Sequence, residues 1–485
     1  MTGAERMARW ILPLLAGYFA LQFALRLALG GALETDEAEM VLLTPGFRLG
    51  YGPQLPLYGW LQAASFAVFG VNTFALALVK NVMLFGIYAL TFAALRPVLP
   101  ARMAVAGLLG LALLPDLFWE GQRATTHSVA LMLMIAALLA AVSSLLRRGR
   151  MADYLWLGLA LGLGGLSKYN FWLVPPAMAL AALGLPLARA RLADRRMLIS
   201  LGIAAAIMAA PAIWMLQNPE LALASGGKLD LGRGPQQGLP WLQGLAEAGT
   251  GLAAGLGLAA LVAAGLRFGL RGRGPEGPPP PEPPSEPGAT VLSLLARSAA
   301  IAYALFLLGV VVSGTDHVTS RWLLPVFLLA APPLLAGAVA RARPVAVPVL
   351  AGIVAGLFAL TVVGMAGARM LGPARGALDL DALEAAIAPL APQDRVIVTD
   401  FYLGGNLKLR HPDWQVQPAL PLSPQPEAPV LLLARGRGQG WTGDLADSGW
   451  TAEGWAETQV LTAEIPFRYS ADDRLRITAR LVSPP

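Results

Sequence analysis

Long apolar runs separated by short polar stretches fill most of the chain. A membrane-crossing helix needs roughly 17–25 apolar residues, and on that length the pattern predicts about eleven spans. Helices are the expected form because a spanning helix satisfies its own backbone hydrogen bonds. The predicted spans, of which the third, fifth and sixth are short, are residues 10–30, 73–95, 101–116, 128–146, 152–168, 171–188, 197–216, 246–267, 292–312, 321–339 and 345–368.

Arginines gather in alternate loops between these spans, and this bias predicts the orientation, since cytoplasmic loops are rich in Lys and Arg. The first run lacks an obvious signal-peptide cleavage site, so we expect it to remain as the first span. An odd number of spans then places the N-terminus in the cytoplasm and the C-terminal tail in the periplasm of a bacterial inner membrane. The basic loops contain Arg6 and Arg9; Arg96 and Arg102; Arg147, Arg148 and Arg150; Arg189, Arg191, Arg195 and Arg196; Arg267, Arg271 and Arg273; Arg341 and Arg343.

Four segments lie outside the predicted spans. Residues 31–72 form a long first outer loop, residues 218–243 form a second one rich in Gly and Pro, and residues 272–288 form a proline-rich cytoplasmic linker, expected to be extended. Residues 371–485 alternate a helical pattern with strand-like RVIVTD and PVLLLARG, which predicts a small periplasmic α/β domain after a transmembrane domain at 1–370. The Gly404–Gly405 pair lacks the full glycine fingerprint of a nucleotide-binding loop.

Composition supports a polytopic α-helical membrane protein. The chain is 56% hydrophobic and only 14% charged, with a mean hydropathy of +0.59. Its net charge of +6 is spread over the loops that flank the spans, so it does not indicate nucleic-acid binding. The absence of cysteine excludes disulfides, thiolate chemistry and cysteine metal sites.

The first candidate for chemistry is the acidic pair Asp36–Glu37, which directly follows the outer end of the first span. A carboxylate there can take a proton from an incoming hydroxyl if its surroundings tune its pKa; the alternative is a solvated loop end or a helix cap. The following aromatic segment YGPQLPLYGWLQ contains Tyr58 and is expected to lie in the membrane interface, as one wall of a cleft open to lipid.

Cations supply the second set of candidates. Lys80 lies inside the second predicted span, where a charge is costly unless it is paired or binds an anion. The alternative is that its long side chain snorkels to the surface. Asp316, His317 and Arg321 cluster just before a later span, and arginine is suited to holding phosphate through paired hydrogen bonds. The alternative for this cluster is a polar turn with an anchoring arginine.

Two polar connections on the same face complete the set. Arg123 and His127 lie between the third and fourth spans, and Lys168 and Tyr169 lie in a tight turn between the fifth and sixth. These residues are candidates for contacts to a phosphate or a sugar, or else anchors in the interfacial belt. With three histidines in the chain and no HExxH motif, the sequence does not favour a zinc hydrolase.

The order of these motifs resembles the GT-C membrane glycosyltransferases of the family 39 type, which include protein O-mannosyltransferases and the lipid A aminoarabinose transferase. The resemblance covers most of residues 1–420 and rests on the acidic pair, then QLPLY, FGVNTFALALVKN, SKYNFWLVPP and SRWLLPV. Three positions depart from the family pattern: Lys80 stands where an arginine is usual, Trp322 replaces a tyrosine, and His127 falls near a position that is often acidic.

The resemblance implies an inverting transfer of sugar from a polyprenyl-phosphate donor to a hydroxyl on a lipid, glycan or protein, with Asp36 as base and Glu37 assisting it. We expect Lys80, Lys168 and Arg321 to hold the phosphate, and Asp316 and His317 to line the acceptor side. Because acids are few in the outer loops, we expect neither a metal nor another cofactor. The alternative is a transporter or flippase for a lipid-linked sugar; no clear internal repeat supports it, and the large outer loop and soluble tail favour an enzyme.

Overall fold

The computed structural model describes residues 2–44, 46–123, 125–222, 239–270, 283–390, 396–419, 429–436 and 456–483, and the elements it describes before residue 370 are helices. Most of the predicted outer loop at 218–243 and of the proline-rich linker at 272–288 lies outside these residues. The helices are α1 (Gly3–Leu29), α2 (Thr35–Leu43), α3 (Leu57–Phe69), α4 (Thr73–Leu95), α5 (Ala101–Leu111), α6 (Gly121–Arg123), α7 (His127–Arg148), α8 (Met151–Gly165), α9 (Val174–Leu183), α10 (Pro186–Leu192), α11 (Met197–Gln217), α12 (Pro219–Ala222), α13 (Pro240–Ala264), α14 (Glu286–Ser313), α15 (Leu324–Ala340) and α16 (Ala346–Met370).

Within the described residues, eight helices are long and apolar enough to cross a membrane: α1, α4, α7, α11, α13, α14, α15 and α16. A ninth is possible if α5 and the segment Asp116–Arg123, bent by 67° relative to each other, count as one span. Helix length therefore does not confirm the predicted count of eleven. The predicted spans 152–168 and 171–188 correspond to shorter helices, α8 and the segment Tyr169–Leu183. Helices α9 and α10 each have proline in their first turn, where the missing backbone N–H breaks no helical hydrogen bond.

Small residues let the membrane helices approach one another closely. Gly158 and Gly162 lie one turn apart on α8 and face α11, where a side chain at Gly158 would collide with the backbone of Ser200. Such pairs of small residues are typical of helix contacts in membranes, because they bring the two backbones into van der Waals contact. Asn72 caps α4 by accepting a hydrogen bond from the backbone of Ala75, which explains why the span begins where the apolar run begins.

The tail folds as the predicted α/β unit. Helix α17 (Leu380–Ile387) precedes β1 (Val396–Thr399), and α18 (Phe401–Arg410) connects β1 to β2 (Gln415–Pro418). The sheet adds β3 (Val430–Arg435), β4 (Ala456–Pro466) and β5 (Arg474–Ser483) in the order β2-β1-β3-β5-β4. The first three strands in that order are parallel, and β5 is antiparallel to both β3 and β4. The Gly404–Gly405 pair lies inside α18.

Helix α18 packs directly on α2, the helix that carries Asp36 and Glu37. Asn406 accepts a hydrogen bond from the backbone N–H of Leu33 at 2.7 Å and donates to its carbonyl at 3.3 Å. A Cβ atom on Gly405 would lie 2.2 Å from the backbone oxygen of Ala38, so only glycine fits this approach. The C-terminal domain and α2 therefore share one end of the helix bundle, and α18 packs against the helix with the acidic pair.

Candidate active site

The position of the acidic pair follows from how α2 begins. The backbone N–H of Glu34, the residue before α2, donates to Oε2 of Glu37 at 3.2 Å, which is one half of a capping box. Carboxylates in the first turn are also stabilised by the partial positive charge at a helix N-terminus. Asp36 and Glu37 are neighbours on a helix, so their side chains point roughly 100° apart. The two carboxylates therefore enter different surroundings.

Glu37 is the counter-ion of two cations, the buried Lys80 and the half-buried Arg26. Its Oε2 lies 3.0 Å from Nη2 of Arg26, its Oε1 lies 3.3 Å from Nζ of Lys80, and its side chain is 3% exposed. Burial disfavours the charged form of Glu37, but Arg26 and Lys80 outweigh that effect and hold its pKa well below the ordinary value. Glu37 is therefore ionised and a weak proton acceptor. It also explains how Lys80 is tolerated inside a membrane helix without reaching the surface.

Asp36 shows the opposite behaviour. Burial in the protein raises its pKa above the ordinary value, although Arg321, Lys80 and Lys168 act against the rise and the backbone of Thr126 donates a hydrogen bond to it. A carboxylate with a raised pKa binds a proton more readily, as a general base must. The three cations whose charges act on Asp36 are the three that the sequence assigned to a phosphate, and they come from separate parts of the chain.

Each of these cations is oriented by its own partner. Nζ of Lys168 donates to Oγ of Ser128 at 2.9 Å. Nη2 of Arg321 donates to Oε2 of Glu120 at 2.8 Å, and Glu120 also binds Arg123 at 2.9 Å. Glu120 thus joins two arginines across the broken helix after α5. The sequence places Glu120 in the polar connection beside Arg123 but gives it no role; its three-residue spacing from Arg123 on a helix is the local signal for this ion pair.

An aromatic and polar wall lies beside Asp36. The rings of Tyr58 on α3 and His127 on α7 have their centroids 5.5 Å apart. Both ring nitrogens of His127 and both amide atoms of Gln62 are buried without a hydrogen-bond partner in the described part of the chain. Buried polar atoms are rarely left unpaired, so the atoms of this wall can form hydrogen bonds with hydroxyl groups of a bound molecule. Sequence reasoning missed Gln62, which is one helical turn after Tyr58.

The interfacial position expected for the first aromatic segment stays a prediction, and its inner face packs into the protein. Tyr58 and Gln62 are almost fully buried, and α3 packs against α4 and α7. Burial of the Tyr58 ring stabilises the protein because the ring has a large apolar area, which favours its inward orientation.

Three predicted residues have contacts away from Asp36. The hydroxyl of Tyr169 donates to the carbonyl of Ala222 at 2.9 Å, which ties the turn after α8 to α12. Nδ1 of His317 lies 3.0 Å from Glu247 on α13, and His317 is 60% exposed. Asp316 is half-buried beside it. The substrate contacts expected of Tyr169, Asp316 and His317 stay predictions.

A metal site has no candidate among the residues that the structure describes, where no group of three or more His, Asp or Glu side chains converges. Whether the reaction needs a metal stays a prediction. The Lys and Arg side chains near Asp36 supply positive charge, which can stabilise a leaving phosphate directly.

Comparison with known proteins agrees with this arrangement. Residues 52–214 match the family described as dolichyl-phosphate-mannose-protein mannosyltransferase. Two lipopolysaccharide core galacturonosyltransferases of Rhizobium johnstonii are similar over nearly the whole chain: RgtA is 33% identical over 94% of this chain and 93% of its own length, and RgtB is 30% identical over 99% of both. ArnT from Cupriavidus metallidurans bound to undecaprenyl phosphate has the same fold, with a TM-score of 0.60, 14% identity, and coverage of 97% of this chain and 98% of its own. The apo form of that ArnT gives a TM-score of 0.59 at 14% identity, covering 97% of both chains.

The chain belongs to the GT-C membrane glycosyltransferases of the family 39 type. It is a multi-pass membrane glycosyltransferase, and family membership favours the enzyme over the carrier that the sequence left open.

Proposed function

We propose that this enzyme transfers a galacturonic acid residue from a polyprenyl phosphate to a hydroxyl of the lipopolysaccharide core, with inversion at the anomeric carbon. The names of RgtA and RgtB support the sugar and the acceptor, and the undecaprenyl phosphate bound by the related ArnT supports the lipid carrier. The observation that carries the proposal is the grouping around Asp36. One carboxylate with a raised pKa lies among Lys80, Lys168 and Arg321.

The chemistry follows from that grouping. Asp36 accepts the proton of the acceptor hydroxyl while its oxygen attacks the anomeric carbon from the face opposite the phosphate. The bond from that carbon to the phosphate oxygen breaks, and polyprenyl phosphate leaves with the electron pair. The three cations stabilise the negative charge that grows on the leaving phosphate, and being held in place they need little rearrangement during the reaction.

Two other acids position the cations. Glu37 holds Lys80 between two helices, and Glu120 holds Arg321 through a 2.8 Å hydrogen bond. Both are positioning residues in this proposal, because their oxygens bind cations that face the phosphate. The unpartnered atoms of Gln62 and His127 take hydroxyl groups of the sugars.

The reaction takes place on the periplasmic side of a bacterial inner membrane, with the N-terminus in the cytoplasm. The arginine-rich loops support this orientation. The contact between α18 and α2 supports a shared side for the α/β domain and the acidic pair.

The test is transfer of radiolabelled sugar from defined polyprenyl-phosphate donors to lipopolysaccharide core, using purified protein. Asp36→Asn should lower the transfer rate by ~10²–10⁴-fold, the usual contribution of a general base. Binding of polyprenyl phosphate should remain, because the cations are unchanged. The matched control is Asp472→Asn, at an exposed position in the α/β domain, which should transfer at the wild-type rate. Normal turnover by Asp36→Asn would overturn the assignment of the base.

A further inference from the structure

A cationic cavity lies beside the reacting groups, between α1, α2, α4 and α16. Its volume is about 140 Å³, about ten times the ~10–15 Å³ that one water molecule needs, which is the size class of one sugar ring. Five cations and two acids line it: Arg26, Lys80, Arg123, Arg369 and Arg375, with Glu34 and Glu37. The lining thus has three more positive than negative charges. Such an excess next to a membrane domain is costly unless an anion binds.

Ion pairs compensate part of that excess, because Glu120, which is outside the cavity lining, also binds Arg123. Glu37 is shared by Arg26 and Lys80, whereas Arg369 binds neutral groups, since its Nη1 donates to the carbonyls of Gly30 at 2.8 Å and Ala32 at 3.2 Å. These two hydrogen bonds fix the direction of the Arg369 guanidinium, and its planar fork lines the cavity. A fixed guanidinium suits a carboxylate, which it can bind through two parallel hydrogen bonds.

Glu34 distinguishes a sugar acid from a simple anion. This side chain lines the cavity and is 8% exposed, and its Oε2 is buried without a hydrogen-bond partner in the described residues. A bare phosphate would only repel this carboxylate. A sugar that carries both a carboxylate and hydroxyl groups satisfies both sides, since a hydroxyl can donate to Glu34 while the carboxylate accepts from the arginines.

The cavity is connected to the reaction centre through Lys80. This residue lines the cavity, pairs with Glu37, and is one of the three cations that act on Asp36. A sugar bound in the cavity would therefore contact Lys80, one of the cations whose charge acts on Asp36.

We propose that this cavity recognises the carboxylate of a sugar acid, with Arg369 and Arg123 binding the carboxylate and Glu34 accepting a sugar hydroxyl. The inference rests on the proposed function and adds the residues that choose an acidic sugar over its neutral counterpart. The carboxylate belongs either to the transferred sugar of the donor or to an acidic sugar of the acceptor.

The test compares two donors that differ only in the carboxylate, polyprenyl-phosphate galacturonic acid and polyprenyl-phosphate galactose, each with an acidic and a neutral acceptor glycan. Wild-type enzyme should favour either the acidic donor or the acidic acceptor at least a hundredfold in kcat/KM. Arg369→Gln and Arg123→Gln should each reduce that preference ten- to hundredfold, the scale of a hydrogen bond to a charged group. Arg369→Lys, which keeps the charge but not the fork, should recover part of it.

The matched control is Arg476→Gln, which removes an arginine that is 66% exposed on the sheet and should leave the preference unchanged. Binding of polyprenyl phosphate alone, measured for each variant, reports whether the protein is folded. Arg369 also holds backbone carbonyls, and Arg123 also binds Glu120, so the inference requires a loss of preference in both variants with polyprenyl-phosphate binding retained.

The outcomes separate the two proposals. If the variants lose discrimination between acceptors but not between donors, the carboxylate is that of the acceptor, and recognition in this cavity still holds. If wild type uses acidic and neutral sugars equally well in both positions, or the variants change neither preference, the inference is overturned while the transferase assignment stands. If wild type transfers sugar from no polyprenyl-phosphate donor, the proposed function itself fails.

Discussion

Replacing Gly405 with alanine should cut the transfer rate about a hundredfold, although this residue lies in the C-terminal domain. Its Cα faces the backbone of α2, and an added Cβ would lie 2.2 Å from the oxygen of Ala38 and 2.5 Å from its carbonyl carbon. Neither atom belongs to a flexible side chain, so the contact is relieved only if α2 and α18 move apart.

The size of that movement can be worked out from the structure. Ordinary contact begins at 3.4 Å, so the separation must increase from 2.2 Å by about 1.2 Å. Ala38 is two residues after Asp36, about 3 Å along the same helix, so Asp36 moves with it. A misplacement of about 1 Å at a reacting group costs roughly a hundredfold in rate. This corresponds to about 2.7 kcal/mol of transition-state stabilisation.

Gly404→Ala is the matched control. Its Cβ would meet Cδ1 of Leu42 at 2.9 Å, the far end of a side chain that can rotate away. Alanine raises helix propensity by about 1 kcal/mol relative to glycine at either position, so the difference between the two variants isolates the backbone collision. The assay is the kcat/KM of sugar transfer, with the thermal unfolding midpoint measured in parallel.

Two results would refute this reasoning. One is a kcat/KM of sugar transfer for Gly405→Ala that is no lower than that of Gly404→Ala. The other is an equal loss in both variants, since that would mean that α18 responds to any added methyl group and that the contact with Ala38 has no special effect on Asp36.

Three further results are expected. Glu37→Gln leaves Arg26 and Lys80 without their buried counter-ion and should destabilise the protein by ~3–5 kcal/mol. Tryptophan fluorescence should show this as a lower unfolding midpoint, and an unchanged midpoint would argue against the ion pairs of Glu37. Because the pKa of Asp36 is raised, Asp36 is protonated and lost as a base when the pH falls through that raised pKa. The acidic limb of the pH profile of kcat/KM should therefore lie above the ordinary aspartate pKa of about 3.9. A limb at or below that value would contradict the assignment of Asp36 as the base. Lys168→Gln should weaken binding of polyprenyl phosphate about ten- to hundredfold by calorimetric titration, whereas equal affinity would remove Lys168 from the phosphate site.

The class of the protein was accessible from the sequence because membrane insertion depends on local composition. Runs such as residues 73–95 must satisfy their backbone within one helix, and α4 has these same bounds. The strand-like segments of the tail were also readable, since their apolar residues are consecutive and they lie in the sheet as β1 and β3. The number of spans was harder to predict, because α8 and α9 are largely apolar but short.

The motifs that carry chemistry were individually visible, and their order identified the family. Asp36, Lys80, Lys168 and Arg321 are polar residues in or beside apolar runs, where a charge has a high energetic cost and therefore draws attention. What each of them does depends on its neighbours. Glu37 follows Asp36 directly in sequence, yet the two have pKa shifts of opposite sign because a helix points them into different surroundings.

Local composition thus determined that the chain is a membrane protein with an acidic pair and cations at one end. Only the tertiary structure decided which residues meet. The local spacing of Glu120 from Arg123 does not show that Glu120 also binds Arg321, 201 positions away. Gln62 and Arg369 have no distinctive local pattern, and the close contact of Gly405 with α2 joins residues separated by more than 360 positions. Such contacts are set by long-range packing of helices and domains, which hydrophobic periodicity does not encode.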